Sequence, residues 1–139
     1  MTKVTLATVK EMLDAAENKA KEIGVPMVIT IVDDGGNLLA SHRMDDALLA
    51  SIDISLNKAW TSVALKMPTN QLTSLGKPGG ELFGIHTTND SRIVLFGGGI
   101  PLTIEGTIVG AAGVSGGSVE NDIEVAEAAV EAFKVIHSQ

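Results

Sequence analysis

The patterning of these 139 residues predicts an α+β fold, with one antiparallel sheet of about five strands and helices packed on it. Two features carry that expectation. Three stretches repeat apolar residues at helical spacing, and the short apolar runs between them are joined in pairs through turn residues, Asp33-Asp34-Gly35-Gly36 and Glu105-Gly106. Strands joined so tightly must pair antiparallel. At 45% hydrophobic the chain is too apolar to remain disordered, and its length suits one domain over 1–139.

The first helix begins after Thr5, whose hydroxyl can accept from a free first-turn amide. Leu6, Val9, Met12, Leu13, Ala16, Ala20 and Ile23 then share one face, and Gly24 followed by Pro26 ends it. Residues 27–33 and 37–43 form a hairpin, since Asp-Gly supplies the positive φ of a tight turn. A second helix over 48–65 is expected to bury Ile52, Leu56, Ala59, Trp60 and Val63, with Pro68 limiting it. Residues 66–92 read as an irregular connector broken by Pro68, Gly76, Pro78, Gly79 and Gly80, with short helical turns near 69–75 and 80–85. Ile93-Val94-Leu95-Phe96 reads as a strand ending at Gly97, Gly98 and Gly99. A second hairpin, 101–105 and 107–115, precedes a last helix starting near Ser118 and carrying Ile123, Val125, Ala126, Ala129, Val130, Phe133 and Ile136.

Composition removes several function classes. A formal charge of −7, no tyrosine, one tryptophan and three phenylalanines argue against a nucleic-acid partner, for want of both charge and a stacking platform. The absence of cysteine removes disulfides, thiolate metal sites and cysteine nucleophiles. No run reaches the roughly 18 apolar residues of a membrane span, and no signal-peptide pattern opens the chain, so the expected setting is cytoplasmic with no membrane partner.

Residues 32–47, VDDGGNLLASHRMDDA, gather the densest polar cluster. Asp33 and Asp34 are best explained as turn residues accepting from nearby backbone amides. Arg43 follows an apolar strand and needs a partner. Either Asp45 or Asp46 clamps it internally, or it is presented to a carboxylate ligand, and Arg suits both roles. His42, His86 and His137 show no metal-ligand spacing, so no metal set is assigned. The glycine runs match neither a P-loop nor a dinucleotide fingerprint, although Gly98 and Gly99 would let backbone approach a ligand. Lys58 either reaches solvent or pairs with Asp53 or another carboxylate. No nucleophile with an adjacent base is evident, and no catalytic residue is assigned.

The same stretches resemble the GlcG/HbpS-like family. The resemblance rests on residues 32–47, the Lys58-Ala59 pair, GGGIPL at 97–102, GAAGVSGG at 110–117 and DIEVAEAA at 122–129, and spans 28–132. The chain looks most like the small stand-alone members encoded near glycerol and diol dehydratase genes. The resemblance implies a profilin-like α/β/α sandwich that assembles into homo-oligomers. It also implies a tetrapyrrole, haem or corrinoid, as candidate ligand, and an association with diol, glycerol or glycolate metabolism. Some members ligate haem iron through a histidine near the N-terminus. No histidine precedes His42 here, so His42 and His86 are the candidate donors. The expected ligand site combines His42, Arg43, Asp45, Lys58, His86, Gly98 and Gly99, between the corner at 43–46 and the connector at 76–92. The chain is read as a small-ligand-binding accessory protein rather than an enzyme. The rivals are an enzyme acting on a small hydroxy acid or aldehyde, and a structural subunit of a dehydratase system.

Overall fold

The computed structural model describes residues 3–138, so the outermost ends of the 1–139 unit lie outside the described residues. Helix α1 spans Leu6–Ile23; the Thr5 hydroxyl accepts from the Thr8 amide, and Gly24 closes the helix at φ +84°. Strands β1 (Val28–Asp33) and β2 (Leu38–Arg43) form the first hairpin. Its turn is held by Asp33, whose carboxylate accepts from the amides of Gly35 and Asn37 at 2.9 Å each, so the turn reading of this residue holds. Helix α2 is Ala50–Leu65 and the short helix α3 is Leu72–Gly76. Strands β3 (Gly99–Ile104) and β4 (Thr107–Ser115) make the second hairpin, and α4 runs Val119–His137 behind a Ser118 cap.

The sheet has four strands in the order β2-β1-β4-β3, all antiparallel, rather than about five. The missing strand is 93–96. Its backbone is satisfied by side chains: the Val94 amide donates to Thr61 Oγ1 at 3.2 Å, and the Leu95 carbonyl accepts from Thr73 Oγ1 at 2.5 Å. Leu95 packs where any side chain at Gly76 would stand. The run therefore lies along α2 and α3, off the sheet edge.

Helices α1 and α4 pack together on one sheet face, and α2 covers the other, which is the implied α/β/α sandwich. The α1/α4 side holds the main core, where Met12, Leu13, Ile29, Ile31, Val114, Ala126, Ala129 and Phe133 exclude water. The α2 side is built differently. Its buried face is Ser51, Ser55, Lys58, Ala59 and Ser62, while the expected core residue Ile52 is 41% exposed and Trp60 only half-buried. Small residues are required because the helix backbone nearly touches the sheet: a Cβ at Gly113 would overlap the Ser55 carbonyl, and one at Gly99 the Lys58 carbonyl. Ser51 and Ser55 find hydroxyl partners across the gap, while Ser62 Oγ has none. Thr30 Oγ1 lies 2.8 Å from Ser55 Oγ and 3.0 Å from Ser41 Oγ, and Ser51 Oγ lies 3.0 Å from Ser115 Oγ. No helix among the described residues is long and apolar enough to cross a membrane.

Candidate functional site

The residues singled out in the sequence divide into three places. His42, Arg43 and Asp45 sit at the end of β2, on the side of α1. His42 Nδ1 lies 3.0 Å from Glu17 Oε1, and Glu17 also pairs with Lys21 at 3.0 Å. The Lys21 ammonium, with a smaller contribution from His42, holds the Glu17 carboxyl below its ordinary value. Arg43 and Asp45 are exposed and line a cavity of about 390 Å³ with Glu17, Lys21 and Met44. Arg43 makes no ion pair among the described residues, so the internal clamp with Asp45 or Asp46 is not formed. The physical reason is exposure: at an edge-strand end water solvates the guanidinium and no desolvation cost demands a partner.

Lys58 occupies the second place. It is fully buried, and its amine donates to the Val114 carbonyl at 2.7 Å and to Asp122 Oδ2 at 3.0 Å. Phe96 lies over the ammonium, 5.0 Å from Nζ to the ring centroid. Asp122 is 3% exposed, and its other oxygen accepts from the Gly117 amide at 2.9 Å. Burial pushes the Lys58 amine down and the Asp122 carboxyl up from their ordinary values, while their mutual attraction works the other way. The pair ties α2 to the first turn of α4 across the end of β4. Lys58 therefore reaches neither solvent nor Asp53, which accepts instead from the Asn57 amide. Gly98 is shaped by this pair: a Cβ there would stand 2.7 Å from Lys58 Nζ, and its φ is +129°. Its carbonyl accepts from Val114, and the Gly99 amide donates to Thr69 Oγ1 at 2.9 Å. These backbone groups are spent inside the fold. Gly98 and Gly99 also line a cavity of about 330 Å³ that includes Ile123 and Glu127 of α4.

His86 marks the third place. It lines a cavity of about 420 Å³ between α2 and the segment 86–96, walled by Ile54, Ile93, Val94, Leu95 and Phe96, with Asp53, Asn57, Ser91 and Arg92 as its polar members. His86 Nδ1 is buried and makes no hydrogen bond, a state shared by Ser62 Oγ and, despite its 3.0 Å approach to Glu17, by His42 Nδ1; of the three only His86 lines this apolar cavity. Phe83, 60% exposed, packs its ring 6.1 Å from the imidazole. No residue of this cavity is shared with the one at Arg43, so the expected single site joining the hairpin corner to the connector is not assembled. Among the described residues no cluster of three or more His, Asp or Glu could hold a bare metal ion.

Arg92, Asn57, Trp60 and Asp122 are not among the site residues expected from the sequence. Arg92 had a usable signal: like Arg43, it abuts an apolar run, Ile93-Val94-Leu95-Phe96, and so should need a partner. Asp122 is visible in the sequence only as a favourable charge in a helix first turn.

The comparisons with known proteins agree with the fold. A family model described as haem degrading protein HbpS-like matches residues 4–131. An uncharacterised 15.0 kDa protein from the dhaT-dhaS intergenic region of Citrobacter freundii is 51% identical over 130 residues, covering 94% of this chain and 92% of that protein. The crystal structure of the Klebsiella pneumoniae protein ORFY superposes with a TM-score of 0.92 at 48% identity, covering 94% of this chain and 90% of that one. The PduOC haem complex superposes with a TM-score of 0.89 at 38% identity, covering 92% and 93%. Matched over most of its length by the model and by relatives of this similarity, the chain belongs to the HbpS-like family.

Proposed function

We propose that this chain is a cytoplasmic tetrapyrrole-binding accessory protein whose ligand, haem in the first instance, sits in the cavity at His86. One observation carries the reading: an imidazole with a buried, unpartnered nitrogen lines a largely apolar cavity. Those residues suit a haem, because the ring system needs apolar walls, the iron needs a neutral nitrogen donor, and the propionates need cations. His86 would supply the donor, and Ile54, Val94 and Phe96 the walls. Bound haem would bring an iron centre able to take up an electron or a further ligand. His86 and the apolar wall would hold the macrocycle and limit water around it. The PduOC haem complex supports the ligand class.

His42 is the weaker donor, since it already lies against Glu17 and Arg43 stands exposed beside a polar cavity. Association with diol or glycerol metabolism belongs to the same proposal. It is supported by the resemblance to members encoded near dehydratase genes. So does homo-oligomerisation, for which the exposed Leu48, Leu49 and Ile52 offer an apolar surface.

Haemin titrated into wild type, His86→Ala and His42→Ala, followed at the Soret band, tests the reading. The expected result is one saturable site in wild type, lost or weakened at least about tenfold in His86→Ala and kept in His42→Ala. Absence of specific binding to wild type overturns the tetrapyrrole reading. Loss in His42→Ala alone moves the site to the α1 side.

A further inference from the structure

The segment that delivers Arg92 to the cavity has an unusual backbone. Asn89, Asp90 and Ser91 take φ of +53°, +57° and +59° in succession. L-residues visit this left-handed region singly, because Cβ crowds the following carbonyl oxygen, and a run of three persists only where its surroundings hold it. Here the Ser91 amide donates to the Thr88 carbonyl at 3.0 Å and the Arg92 amide to the Asn89 carbonyl at 3.1 Å. The turn ends with Arg92 in a defined place.

That place is fixed on two sides. The guanidinium carbon lies 4.4 Å from the centroid of the Trp60 ring. Its Nε donates to Asn57 Oδ1 at 3.2 Å, and the Asn57 amide group donates in turn to Asp53 Oδ2 at 3.1 Å. Asp53 is the acidic residue lining the cavity, and its engagement with Asn57 turns the Asn57 oxygen toward Arg92. Among the described residues Arg92 makes no ion pair. A guanidinium has five donors in a planar fork, and only Nε is spent here on a side chain. A half-buried, pre-oriented fork with donors in hand is suited to a bidentate carboxylate.

We propose that Arg92 is the specificity-determining residue of this site and reads a carboxylate on the ligand, which for a tetrapyrrole is a propionate. The inference rests on the tetrapyrrole reading of the His86 cavity and adds to it the group by which the ligand is oriented. Trp60 and Asn57 act as positioning residues, holding the fork flat and turned before the ligand arrives. Trp60 is the sole tryptophan and the chain has no tyrosine, so its emission reports directly on the group stacked against it.

The test compares haemin with haemin dimethyl ester, which keeps the ring and iron and removes both carboxylates. Each is titrated into wild type, Arg92→Met and Arg92→Lys while the Soret band and Trp60 emission are followed. Wild type should bind haemin about tenfold or more tightly than the ester, the size expected for one charge-assisted contact. Arg92→Met should bind both ligands about equally, at the level of wild type with the ester. Arg92→Lys should recover part of the preference, since a point charge replaces the fork. Equal binding of acid and ester by wild type overturns the role of Arg92 and leaves the tetrapyrrole reading standing; this comparison needs no variant to fold. A preference that survives in Arg92→Met also overturns it. If wild type binds neither ligand, the cavity reading fails, and the inference fails with it.

Discussion

Lys58 and Arg43 carry the same charge in opposite surroundings. Lys58 is buried among Val114, Phe96 and Gly98 with Asp122 as its counter-ion, whereas Arg43 stands exposed at the end of β2. Removing one member of a buried pair strands the other in low dielectric, so Lys58→Met should cost about 3–5 kcal/mol. Replacing both partners, Lys58→Met with Asp122→Leu, should recover much of that loss. Arg43→Ala should change stability by less than about 0.5 kcal/mol, the usual result at an exposed site without partners. Denaturant midpoints of the four proteins check all of this together. A large loss in Arg43→Ala would restore the internal clamp. The polar cluster around Arg43 was legible in the sequence, but its exposure was not, because local spacing says nothing about which strand ends up at the sheet edge. The partner of Lys58 was illegible for a related reason: Asp122 lies 64 positions away.

At the level of elements, the contact between α2 and β4 carries the greatest constraint. A Cβ at Gly113 would overlap the Ser55 carbonyl and crowd the Ala59 amide, both backbone groups that cannot rotate away. Gly113→Ala should therefore destabilise by about 3 kcal/mol, at the upper end of ordinary overpacking, as read from the denaturant midpoint. An unchanged midpoint would mean that α2 rides further from the sheet. The same contact explains why the buried face of α2 was misread. Apolar periodicity pointed to Ile52, yet the face against glycine strands must be small, and Ser51, Ser55 and Ser62 fill it. Helices α1 and α4 face an ordinary apolar core, and there the periodicity was right, from Val9 to Phe133. Both hairpins were legible too, through Gly36 and the Glu105-Gly106 pair, which take the positive φ that their turns require. The run 93–96 failed because four apolar residues look alike whether they enter a ladder or pack along a helix.

Across the whole molecule, the small residues of β4 and α4 serve packing within one copy. Gly110, Ala111, Ala112, Gly113, Ala126 and Ala129 are buried within the sandwich. A homo-oligomer must then use other surface, and Leu48, Leu49 and Ile52 at the start of α2 are exposed and close together in sequence. Light scattering at micromolar concentration should show a closed assembly of two or more copies, and Leu49→Asp should shift it toward monomer. A single-chain mass for wild type would reject that surface. The proposed ligand site is likewise a property of the assembled fold, since α2 and the segment 86–96 meet only once the connector has packed. A crystal structure of the protein grown with haemin would locate the ligand directly. Macrocycle density is expected between α2 and residues 86–96, with iron next to His86 and a propionate at Arg92. Density in the cavity of Glu17, Arg43 and Met44, or an unliganded His86 beside haem bound elsewhere, would contradict it.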